Sequence, residues 1–163
     1  MSDIKALREV EGIRVKRVAD AEDGLRKAQQ AQKEAEQRLE EARIALADYQ
    51  QRLPGLIEQL YADCIGHLVS REFLQDKTYE ETQLRARVED YKARVTEAEG
   101  LLQKAIQAVK DALIRLNQER VKLDALKELI QAERKKIAIA LARAEARVLD
   151  DLAGSKFVRA MAH

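Results

Sequence analysis

The chain has 163 residues, 30 of them lysine or arginine and 29 aspartate or glutamate, and its formal charge of +1 removes the electrostatic basis for nucleic-acid binding. It is 46% hydrophobic but 4% aromatic, with no tryptophan, which excludes a thick globular core and favours a thin helical seam. No apolar run approaches the ~20 residues of a membrane-spanning helix, the opening Met-Ser-Asp-Ile-Lys has no signal-peptide core, and Cys64 has no second cysteine to bond, so a soluble cytosolic protein is expected.

The first predicted helix covers about residues 3–53, with Ser2 or Asp3 supplying a capping oxygen. From Val18 its apolar residues step by three and four without a slip, through Leu25, Leu39 and Leu46 to Tyr49 and Leu53. Ala21, Ala28, Ala35 and Ala42 fill the alternate heptad positions, where a small side chain lets two backbones approach closely. Upstream, the same frame places Glu11 and Arg14 on the seam, so the helix start is expected to pack loosely or to face another partner. Acid-before-base pairs four residues apart, Glu34–Arg38 and Glu81–Arg85 among them, add about 0.2–0.5 kcal/mol each.

Pro54-Gly55 predicts a kink or break, because proline removes a donor and clashes with the preceding turn. A short helix over about 55–68 is expected next, then a reversal over about 69–77. Thr78-Tyr-Glu-Glu81 has the form of a capping box opening the last helix, over about 78–153. Its seam runs from Leu84 through Tyr91, Ala98, Ala105, Ala112, Leu116, Glu119, Leu123 and Ile130 to Ile137 and Ala140. Gly154 is expected to end it, leaving 155–163 as a flexible tail.

These elements predict an all-α fold, a long antiparallel two-helix coiled-coil hairpin with a short helix near the tip, forming a single domain over 1–154. At 1.5 Å per residue the two long helices would span roughly 75 Å and 110 Å. Folded about residue 72, residue 4 would lie beside about residue 140, and everything beyond Ile137 would overhang. That overhang carries apolar residues pointing in several directions, and a helix apolar all round needs burial on all sides.

Catalytic signatures are missing. There is no glycine-rich phosphate loop, Cys64-x-x-His67 lacks the further ligands of a metal site, and serine and histidine are too few for a nucleophilic triad. The reading is a non-enzyme with no cofactor and no metal.

Several segments resemble the YscO/FliJ family, central-stalk proteins of type III secretion. They are Ile13-Arg-Val-Lys-Arg-Val18, Ala45-Leu-Ala-Asp-Tyr49, the apolar break from Leu56 to Phe73, Tyr79 with Leu84, and Leu123-Asp-Ala-Leu-Lys-Glu-Leu129. Pro54-Gly55 departs from the family pattern. The resemblance implies a cytoplasmic, non-catalytic coiled-coil hairpin, monomeric in isolation and peripheral to the inner-membrane export apparatus. It implies binding in the pore of the hexameric secretion ATPase, a link to the export gate protein, and contact with export chaperones in some members.

On that reading Ile4, Leu7, Val10, Ile13, Ile137, Ile139, Leu141, Val148, Leu149 and Leu152 form the ATPase-facing end. Tyr49, Leu53, Leu56, Leu60, Tyr61, Phe73 and Tyr79 form the export-gate-facing tip. Other readings stay open: core packing for Tyr49, end-to-end self-association for the terminal residues, and, for the chain, a structural coiled-coil tether or dimerisation protein or a rotary-ATPase stalk subunit.

Overall fold

The computed structural model describes residues 2–162. Helix α1 spans Ser2–Tyr61, a 3-10 turn covers Ala62–Cys64, and helix α2 spans Arg71–Met161. The two helices pack antiparallel as an all-α hairpin, with no strand among the described residues. Contacts divide the chain into two units: Gly24–Leu113, which contains the reversal, and the residues up to Asp23 together with those from Ile114 onward.

In the Gly24–Leu113 unit the pairing steps regularly along the two helices. Tyr61 meets Glu81, Tyr49 meets Tyr91, and Arg43 meets Glu99. Leu39, Tyr49 and Ala98 are buried, and Ala28, Ala35, Ala42, Ala105 and Ala112 are half-buried, so the alanine stripes form the interface. Tyr49 is the largest side chain inside, at 3% exposure. Its ring stacks on Tyr91 with centroids 4.8 Å apart and planes 23° apart. Its hydroxyl donates to the Leu84 carbonyl at 2.6 Å, using that oxygen's second lone pair. The offset stack is worth about 0.5–1.5 kcal/mol beyond the area it buries.

In the other unit Ala21, Leu116, Leu123 and Ile130 are buried. The heptad frame does not loosen toward residue 4: Ile4, Leu7, Glu11 and Arg14 are all half-buried in continuous three-and-four spacing, while Val10 and Ile13 face outward. Glu22 pairs with Arg120 at 3.5 Å, and Arg14 with Glu119 at 3.8 Å. The two seam charges substitute for an apolar pair, which is how the frame survives a charged step.

The structure corrects four local expectations. Helix α1 does not break at Pro54-Gly55, so no separate helix occupies 55–68 and only the 3-10 turn stands near the tip. Pro54 and Gln50 are both exposed, so water can satisfy the Gln50 carbonyl that loses its donor, while Leu53, Leu56 and Leu60 continue the packed face on both sides. The reversal is Ile65–Ser70, earlier than 69–77, and Gly66 takes the left-handed backbone (φ 77°) that it requires. Ser70, not Thr78, opens α2: its Oγ accepts from the Phe73 N–H at 3.1 Å. Thr78 lies inside the helix and donates to the Leu74 carbonyl at 2.9 Å, so the expected capping box does not form. Finally, α2 continues through Gly154 to Met161, so residues 155–161 are helical rather than a tail.

Candidate functional site

Two exposed apolar surfaces stand apart from the seam. The first is the extension of α2. α2 has 91 residues against 60 in α1, and every described residue from Ala138 onward is exposed. Ile137, half-buried, is its last seam residue; Ala140, expected on the seam, is already exposed.

At 100° per residue, Leu141, Ala144, Val148, Leu149 and Leu152 fall on one side, and Arg143, Arg147 and Asp150 on the other. Ile139, Phe157, Val158 and Met161 fall on that second side, so exposed apolar side chains occur all round the extension. Leu141, Ala144, Glu145, Val148 and Leu149 line a shallow surface groove. Val148 is 57% and Leu149 66% exposed. Between Ala138 and Met161 there are four basic residues and three acidic ones, so the extension is nearly neutral.

Of the residues assigned from sequence to this end, Ile139, Leu141, Val148, Leu149 and Leu152 all lie on the exposed extension. Ile4, Leu7 and Ile137 are half-buried in the seam, while Val10 and Ile13 are exposed on α1, outside it. Phe157, Val158 and Met161 are also exposed on the helix and lie on the side of Arg143 and Arg147. Reading Gly154 as a stop hid them, although their own spacing of one and three residues was a helical signal.

The second surface is the reversal. Ile65, Leu68, Val69, Phe73, Leu74 and Tyr79 are exposed there, Leu68 fully. Lys77 lies over the Phe73 ring, 5.2 Å from its centre. Only Phe73 and Tyr79 of the residues assigned from sequence to the tip belong to this exposed group. Leu53, Leu56, Leu60 and Tyr61 are half-buried along the packed face, and Tyr49 is inside the interface and unavailable to a partner. Ile65, Leu68, Val69 and Leu74 were missed as surface residues because a longer helix was expected to pack the first two.

Tyr61 and Glu81 tie the base of this surface together. The Tyr61 hydroxyl donates to Glu81 Oε2 at 2.7 Å, and Arg85 donates to Oε1 of the same carboxylate at 3.0 Å. These bonds, Tyr61's first, hold the Glu81 carboxyl below its ordinary range. The same bond raises the Tyr61 phenol, against a smaller lowering by the Thr78 hydroxyl.

Among the described residues no group of three or more His, Cys, Asp or Glu could hold a metal ion, and no helix is long and apolar enough to cross a membrane. Both surfaces expose apolar side chains.

A family model described as type III secretion protein YscO matches residues 7–153. The match spans both halves of the hairpin and most of the exposed extension. No curated protein and no solved structure matches the chain.

Proposed function

The chain belongs to the YscO family of type III secretion proteins, and from that premise we propose that it is a non-enzymatic central stalk that inserts into the pore of the hexameric secretion ATPase and couples it to the export gate. The observation that supports this reading is the α2 extension, where every described residue from Ala138 onward is exposed and Ile139 and Phe157 stand opposite Leu141, Val148 and Leu152. A ring lumen covers such a helix on several sides at once, which a single partner helix does not. The exposed reversal is then the export-gate side. The working location is the cytoplasmic face of the inner-membrane export apparatus, with export chaperones as additional partners.

The test is to mix the purified chain with the ATPase of its own secretion system and measure ring assembly and ATP hydrolysis. The full chain is expected to raise both, and a chain truncated after Leu141 to lose the effect while keeping its thermal transition. Undiminished stimulation by the truncated chain would overturn the assignment.

A further inference from the structure

We infer that the reversal is a docking surface for a cationic protein partner, one that presents aliphatic or aromatic side chains between lysines and arginines. The inference relies on the stalk reading for where that partner sits, not for its chemistry.

The argument starts from the apolar group. Ile65 (73% exposed), Leu68, Val69, Phe73 and Leu74 are clustered within ten residues around the turn; Ile65 and Leu68 are largely open, while Val69, Phe73 and Leu74 keep 37–45% of their surface exposed. Gly66 provides the backbone turn that presents Ile65 and Leu68 outward. Burying these side chains on a partner would supply the apolar part of the binding energy.

Charge then selects the partner. From Glu58 to Thr82 there are six carboxylates against two cations, Arg71 and Lys77. Lys77 is already engaged, 3.9 Å from Glu80 and over the Phe73 ring. Glu81 is held by Tyr61 and Arg85. Asp63, Glu72 and Asp76 make no ion pair among the described residues. Glu72, Asp76 and Glu80 stand four residues apart, so they form one acidic stripe on α2 beside Phe73. An anionic bilayer would be repelled by this stripe even though the apolar side chains suit a lipid interface. A protein surface with a basic rim gains on both counts, because complementary potentials steer encounter and disfavour wrong partners.

The full-length chain can be titrated, by residue-resolved NMR, with an amphipathic peptide of leucine and lysine, with its leucine–glutamate counterpart, and with phosphatidylglycerol vesicles. The leucine–lysine peptide is expected to shift Ile65–Leu74, about tenfold more tightly than the glutamate peptide, and to weaken as salt is raised. The double variant Glu72→Lys, Asp76→Lys should lose that preference with the helix content unchanged, and Leu68→Ser with Phe73→Ser should lose binding of the same peptide. Equal binding of both peptides at the reversal, no binding of the cationic peptide, or capture of the reversal by the vesicles would each overturn the inference. The cytoplasmic domain of the export gate protein serves as a second probe. If it ignores the wild-type chain while the cationic peptide binds, the partner named under the stalk reading is wrong and the chemical preference stands. If it binds the wild type and the charge-reversal variant equally, the preference is wrong and the stalk reading stands.

Discussion

Arg14 and Glu119 place a charged pair in the seam between the two helices. Both occupy seam positions, with side-chain exposures of 27% and 13%, and the facing atoms Arg14 Nη1 and Glu119 Oε2 are buried with no hydrogen-bond partner. At 3.8 Å the pair is an ion pair without a bond that offsets desolvation, so its net contribution to stability is small while the cost of removing one member is larger. Glu119→Leu alone is expected to destabilise the chain by about 1–3 kcal/mol in urea unfolding, and Arg14→Met with Glu119→Leu to recover most or all of that loss. The two changes together falling well below the single variant would contradict this account. Tyr61 and Glu81 give a second residue-level expectation. In Tyr61→Phe the Glu81 carboxyl, observed by NMR, should titrate closer to the ordinary carboxylate range, since the bond that lowers it is gone. The sign for stability follows: a depressed folded value means this interaction is present at pH above the unfolded value and fades as pH falls through the folded one.

At the level of elements, the seam was the legible part. Leu39, Tyr49, Ala98, Leu116, Leu123 and Ile130 all lie where the three-and-four spacing puts them, and the spacing continues unbroken through the charged steps at Glu11 and Arg14. Helix ends were less legible, because they are decided by weak local preferences that packing overrides. Pro54 and Gly154 are strong stop signals in isolation, yet α1 crosses the first because its packed face resumes at once, and α2 crosses the second. Ser70 competes with Thr78 as a cap, and the nearer one to the Gly66 turn wins. Which apolar residues remain uncovered at the reversal depended on these end points, so Leu68 and Leu74 could not be assigned from spacing. The helix through Pro54 makes its own prediction. Pro54→Ala restores a donor for the Gln50 carbonyl and removes the ring clash, so stability in urea should rise by about 1–3 kcal/mol with the m-value unchanged. A loss of stability would show that the break in hydrogen bonding at this position is built into the packing of α1.

For the molecule as a whole, packing and surface are assigned to different stretches of the same helix. α2 spends its seam, up to Ile137, on α1, and leaves Ile139 to Met161 uncovered. The family match over residues 7–153 makes the chain a type III secretion protein, and the uncovered stretch is where the stalk reading locates its work. The most direct measurement places a photocrosslinking amino acid at Leu149, and separately at Leu68, in the full chain assembled with the secretion ATPase. Crosslinks from Leu149 to the ATPase, with none from Leu68, are expected. Crosslinks from Leu68 and none from Leu149 would contradict the account.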